Sequence, residues 1–402
     1  MEERKSVHIG DLGTIVTGKT PKTSIEDNYG GDTPFLSPSD DLSGKYVPIT
    51  GRTLSNKGVN EVKNCLLPPQ SVCVSCIGSD LGKSVITRCN TITNQQFNSI
   101  IPSNGFDTDF VYYAMQFVGP ILNALSKTST AVPIINKSTF SSFQIRVPDY
   151  STQCRISRVL SALDDKIELN NRINHNLEQQ AQALYKSWFV DFEPFRDGKF
   201  VESELGMIPE GWRVAELGTV TRQCSQKVKD RIDVKVLSPV TTGELVLSEE
   251  YFTKQVFSES ISKYIVVKPL HFAYNPARVN IGSIGMNMFS FDGCVSPVYV
   301  VFECEKGYHH FFDYYRKTAS FKDEVLNRAI GGVRQTLSYK DFALIKLVYP
   351  PYDIVEKFNC IYAGLLENKN SIKREISKLS ELRDTLLPKL LSGELKINDL
   401  TC

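Results

Sequence analysis

Charge of one sign is what this sequence lacks. Across 402 residues, 46 Lys and Arg stand against 45 Asp and Glu. No global positive field draws the chain to nucleic acid, so any DNA contact has to come from local patches or partner subunits. Long apolar runs are missing too, and none approaches the roughly 18 residues of a membrane span. The opening MEERKSVHIG is charged and holds no apolar signal core, which leaves the cytoplasm as the expected address. Histidine is sparse: His8, His175, His271, His309 and His310 suggest no catalytic or metal constellation. The ten cysteines are scattered without finger spacing or a disulfide framework. Cys73 and Cys76 spell a CxxC, but inside SVCVSCIG they read as strand residues on opposite faces. A metal is therefore not expected.

What remains is an ordinary globular composition, with 41% hydrophobic residues over a length that suits two or three domains. One stretch stands out, GTIVTGKT from Gly13 to Thr20, which fits the P-loop pattern. A working P-loop follows a buried strand and opens a helix, so that backbone N–H groups and the lysine hold phosphates. Here SVHIGDL precedes it and the turn-like PKTSIEDNYGGDTP follows. IGSDLGKS from Ile77 is a near miss, one residue short between its glycines. YPPYD from Tyr349 looks like the tetrad of amino-methyltransferases, yet tyrosine occupies the position that must hold the target amino group. The sequence argues against an enzyme.

The most informative feature is a duplication. An offset of 202 superposes Phe110 on Phe312, Tyr113 on Tyr315, Phe140 on Phe342, Pro148 on Pro350 and Leu184 on Leu386. Nearer the start of each half the offset drifts, with LGT at Leu12 and Leu217, LSP at Leu36 and Leu237, and IGS at Ile77 and Ile281. Neither P-loop-like lysine recurs in the second copy, which reads LGTVTRQCS and IGSIGMN.

Each copy begins β-rich and ends helical. Leu163, Asn170, Leu177 and Leu184 fall seven apart, as do Leu365, Ile372, Leu379 and Leu386. Those are heptad seams on helices of about 35 residues, roughly 50 Å long. Two such helices satisfy each other if they pair antiparallel, with the β-rich domains at opposite ends. Asn170 at a seam position would oppose register slippage. Trp188, Phe189, Phe192 and Phe195 read as a core plug joining the first helix to the second domain. The fold class is α+β. Two β-rich domains, 1–148 and 193–350, related by the duplication, alternate with a central helix, 149–192, and a C-terminal helix and tail, 351–402.

Together these stretches resemble the specificity subunit of type I restriction–modification systems over nearly the whole chain. The resemblance rests on LYKSWFVDFEPF (184–195), LGMIPEGWRVAELGTV (205–220), LRDTLLPKLLSGEL (382–395) and STAVPIINKSTFSSFQIRVPDYSTQCRI. It implies that the two β-rich domains are target-recognition domains, each reading half of a split, asymmetric site in double-stranded DNA. The helical pair would set the spacer and dock two modification subunits that methylate adenine at N6. S-adenosylmethionine would sit on those subunits, and ATP and Mg on restriction/translocase subunits; this chain itself would carry no cofactor. The side-chain chemistry of base reading selects Lys19, Lys83, Asn94, Gln95 and Gln96 in the first domain. In the second it selects Arg222, Lys227, Arg278, Asn280, Arg334 and Gln335. The rival readings are a P-loop NTPase or stand-alone methyltransferase, and a coiled-coil adaptor without DNA contact.

Overall fold

The computed structural model describes residues 4–127, 133–252, 257–258, 260–328 and 336–397. The chain forms two compact units, one of residues 1–174 with 371–402 and one of residues 175–370.

In the first unit, a four-stranded antiparallel sheet runs in the order Gly13–Thr17, Phe97–Pro102, Val72–Ser75, Ser84–Ile86. A second sheet sets Tyr29–Leu36 antiparallel to Thr53–Leu54 and parallel to Ile92–Thr93. A separate pair joins Lys5–His8 to Gln144–Val147.

The second unit repeats this plan. Its four-stranded sheet runs Thr221–Cys224, Val300–Cys304, Phe272–Tyr274, Ile284–Met286. Lys235–Pro239 lies antiparallel to Leu245–Leu247 and parallel to Gly293–Val295, with Ile265–Val267 added beyond. Arg213–Glu216 pairs with Lys346–Tyr349. A hairpin of Phe200–Ser203 and Gly206–Pro209 completes the set.

A backbone detail fixes the equivalence. Gln70 has φ 67° and Leu270 has φ 65°. Left-handed backbone is uncommon outside glycine, and here it falls two residues ahead of Val72 and of Phe272. Val72 then lies opposite Ile100, as Phe272 lies opposite Phe302.

Alternation along each strand decides which side chains meet the helix. In the first unit Val72, Val74 and Ile100 pack with Phe110, Val111 and Met115 of the helix Thr108–Ser126. Asp107 caps that helix by accepting from the Phe110 N–H at 2.9 Å. In the second unit the same face carries Phe272, Tyr274 and Phe302, against Phe311 and Phe312 of His309–Tyr315. The Phe272 and Phe302 rings stack at 5.2 Å, and Phe312 meets both edge-on.

The two long helices are Tyr150–Phe189, of 40 residues, and Tyr352–Ser392, of 41 residues. Both exceed the expected length. The first begins where Asp149 accepts from the Thr152 N–H at 3.0 Å, an N-cap that prolines do not reveal. Each unit contains a stretch of both helices. In the first unit, Asp164 meets Arg383 at 2.8 Å and Asn170 donates to Glu375 at 3.0 Å. The partner number falls as the first rises, so the stretches run antiparallel. In the second unit Glu178 meets Lys369 and Tyr185 meets Phe358, again antiparallel.

Leu163, Leu177, Leu184, Leu365, Ile372, Leu379 and Leu386 lie half-buried, and Asn170 is buried. Their heptad companions include Leu160 and Leu390 in the first unit, and Ala181 and Tyr362 in the second, all buried. Ionic groups also occupy this face. The Tyr113 hydroxyl donates to Asp164 at 2.6 Å beside Arg383. Burial pushes the Glu178 carboxyl upward, but the ammonium groups of Lys317 and Lys369 outweigh it and hold it at about 2. No helix among the described residues is long and apolar enough to cross a membrane.

Candidate nucleic-acid interface

GTIVTGKT does not build a phosphate loop. Gly13–Thr17 is a sheet strand, and no helix opens at Thr20; only a three-residue 3-10 turn, Glu26–Asn28, comes later. Gly18 is buried against the chain at Thr93–Asn94, where a Cβ would lie 2.1 Å from the Asn94 carbonyl oxygen. That approach brings residues 18–20 onto residues 93–96. The Lys19 N–H donates to the Thr93 carbonyl at 3.0 Å, and the Thr20 hydroxyl donates to Gln95 Oε1 at 2.7 Å. The Asn94 amide donates to Gln96 Oε1 at 2.8 Å and accepts from the Gln96 N–H at 3.0 Å. Lys19 and Gln95 are exposed, Gln96 is half-buried and Asn94 is buried. Four of the first domain's five candidates therefore come together, with Lys19, Gln95 and Gln96 at the surface and Asn94 buried beneath them. An ammonium group beside amides can meet a phosphate and read an adenine edge.

Lys83 lies apart, on the Ile77–Lys83 loop, with its ammonium 2.7 Å from Asp80. It borders an open depression of about 630 Å³ that Asn123 and Lys127 also line. Gly82, at φ 96°, touches Gly119 so closely that a Cβ would sit 2.3 Å from its carbonyl oxygen. Glycine serves packing here too.

The second domain's candidates are more dispersed. Arg222 is exposed on the edge strand and donates to Glu303 at 2.7 Å. Lys227 is exposed on the loop 225–231, which surrounds an open depression of about 720 Å³. On the same loop Arg231 is held by Asp292 at 2.8 Å and by Asp233. Arg278 is exposed and Asn280 half-buried around the short turn Val279–Ile281. Arg334 and Gln335 lie outside the described residues.

The methyltransferase-like YPPYD belongs to the core. Tyr349 is buried, stacks on Tyr308 at 4.4 Å and donates to Glu305 at 2.6 Å. Trp188, Phe189 and Phe195 cluster with Trp212 inside the second unit, and Phe192 meets Trp212 at 5.4 Å. Cys73 and Cys76 enter different apolar clusters, and burial pushes their thiols up to about 12 and about 11. Neither is a reactive thiol.

One grouping was not visible in the sequence. Among the described residues, Cys224, His271 and Glu303 place one potential metal ligand atom each within 4.8 Å of one another. Cys224 Sγ lies 3.7 Å from His271 Nδ1, and His271 Nε2 lies 3.2 Å from Glu303. Burial lowers the His271 pKa against the opposing pull of Glu303, which favours the neutral ring. These residues are 47 and 32 positions apart in the chain. Strand pairing alone brings them together, so no local spacing announces them.

Comparison with known proteins places these features. The model of the type I restriction modification DNA specificity domain matches residues 1–179. The chain is 28% identical to the type I restriction enzyme MjaIX specificity subunit of Methanocaldococcus jannaschii, over 98% of this chain and 93% of that one. It is 26% identical to the HindI specificity subunit of Haemophilus influenzae, over 98% of this chain and 100% of the relative. Its fold is similar to the crystal structure of a type I system S subunit from M. genitalium. That likeness has a TM-score of 0.56 at 17% identity and covers 97% and 96% of the two chains.

Proposed function

Because the chain belongs to the DNA-specificity family of type I restriction–modification systems, we propose that it is the non-catalytic subunit that gives such a complex its DNA sequence. Each unit reads one half of a bipartite site, with the reading surfaces in 1–148 and 193–350. The paired helices set the unread spacer and dock two adenine N6-methyltransferase subunits. S-adenosylmethionine is held by those subunits, and ATP and Mg by the restriction/translocase subunits.

The repeated sheet order with divergent exposed side chains supports this reading. Where one unit presents Lys19, Gln95 and Gln96, the other presents Arg222, Lys227 and Arg278. A shared scaffold with different readers suits a site whose halves differ. The balanced charge fits a subunit whose partners supply much of the phosphate contact. The test is a genome-wide map of N6-methyladenine in the native host with and without this gene, under conditions where its partners are expressed. Loss of one split motif of fixed spacing is the expected result; an unchanged map would overturn the reading.

A further inference from the structure

We propose that Cys224, His271 and Glu303 form a site for one thiophilic divalent cation of the Zn2+ type, built on three neighbouring strands of the second unit's sheet. Arg222 faces Glu303 across the Thr221–Cys224/Val300–Cys304 pair, and Cys224 faces Val301. Phe272 faces Phe302, so His271 arrives beside Glu303 from the other side. Directly paired residues point to the same face of a sheet. The thiol, imidazole and carboxylate therefore share that face.

The duplication supplies an internal control. With Ile100 equivalent to Phe302, Ile101 takes the place of Glu303. Thr14 lies opposite Ile101, so Val16 takes the place of Cys224, and Ser71 that of His271. In the first unit Val16 and Ile101 pack on the apolar cluster of Leu36, Cys73 and Val85. The second unit keeps the apolar floor of Leu237, Ala273 and Val301 under Cys224. Above it, three ligand-bearing side chains replace what is mostly hydrocarbon. Half-burying such groups is unfavourable unless something satisfies them.

The chemistry suits the cation. Zn2+ takes Cys sulfur, His nitrogen and carboxylate oxygen, and sites with three protein ligands leave a fourth position for water. Arg222 donates to Glu303 Oε1, which leaves Oε2 on the His271 side. Such outer partners orient metal-binding carboxylates. Binding displaces the Cys224 thiol proton to solvent and forms a thiolate–metal bond, so uptake strengthens as pH rises.

The test is titration of the metal-free full-length chain with Co2+, reading the near-ultraviolet thiolate-to-cobalt absorption, followed by competition with Zn2+. One equivalent is expected, with the band lost in Cys224→Ser and in His271→Gln and kept in Cys89→Ser and Cys360→Ser. Glu303→Gln should weaken Zn2+ binding by about tenfold or more. Tryptophan fluorescence of the metal-free variants checks that each is folded. No thiolate band in the wild-type chain, or a band that persists in folded Cys224→Ser, overturns the site.

Discussion

The two units solve one packing problem with different side chains. Where Val72 faces Ile100 in the first unit, Phe272 faces Phe302 in the second. Around the second pair lie Phe311, Phe312, Tyr314, Phe321 and Phe342, all buried. The first unit keeps Phe110, Tyr112 and Phe140 where the second has Phe312, Tyr314 and Phe342, but its sheet offers aliphatic Val72, Val74 and Ile100, and its helix is longer, Thr108–Ser126 against His309–Tyr315. Sheet order survives because it depends on which positions are apolar and in what alternation. Filling the space between sheet and helix is a separate requirement, met locally by ring or by branch. The seam of the long helices tells a similar story: its leucines are shared, while its buried ions differ between the units.

The largest way to break this comparison is to empty the aromatic core. Phe302→Ala should cost about 3–5 kcal/mol, since it removes a large buried side chain and strands its ring partners. Urea unfolding followed by tryptophan fluorescence reads the second unit specifically, because Trp188 and Trp212 both belong to it. Protection of first-unit amides from hydrogen exchange should stay near wild type. An equal loss there would mean that the aromatic core supports both units.

Next comes the ionic seam. Asp164→Ala should cost roughly 3 kcal/mol, because it leaves the half-buried Arg383 guanidinium and the buried Tyr113 hydroxyl without their shared acceptor. The loss should appear in hydrogen exchange of first-unit amides. Asp164→Asn, which keeps an acceptor, should recover part of it.

The smallest effect is one of pH. Burial, reinforced by His309, lowers the His310 imidazole to about 4, and its Nδ1 is buried without a hydrogen-bond partner. An unfolded histidine titrates near about 6.5. The unfolded chain thus binds the proton more readily, so this contribution is complete above that value and is lost as pH falls towards 4. The urea midpoint of the second unit should decline across that window, and His310→Gln should flatten the decline. His309 and His310 both lie in the second unit, so hydrogen exchange of first-unit amides, corrected for intrinsic rates, is the internal control for this decline. Glu178 acts in a separate window: its held-down carboxyl stabilises the second unit above about 4.3, and that contribution fades towards about 2.

Much of the architecture was legible in the residues. The 202-residue offset announces a duplication, and the sevenfold leucines place the inward face of both long helices. Helical side chains three and four apart share a face whatever lies beyond, so periodicity alone finds that stripe. The false P-loop was also legible, because the turn-forming residues after Thr20 exclude the helix that phosphate binding needs. The convergence of Lys19 with Gln95 and Gln96 was not. It depends on Gly18 pressing against Asn94, a contact across 76 residues of chain.

The sequence by itself determined the repeat, the alternation of sheet and helix, and the stripe along which the helices bury themselves. These follow from local periodicity and from the similarity of two stretches of one chain. Only the tertiary structure decided which charges meet along the helices, how each core is filled, and that Cys224, His271 and Glu303 share a face. The physical reason is register. Strand pairing and antiparallel helix pairing match residues far apart in sequence, and in a sheet a shift of one position would send each side chain to the opposite face.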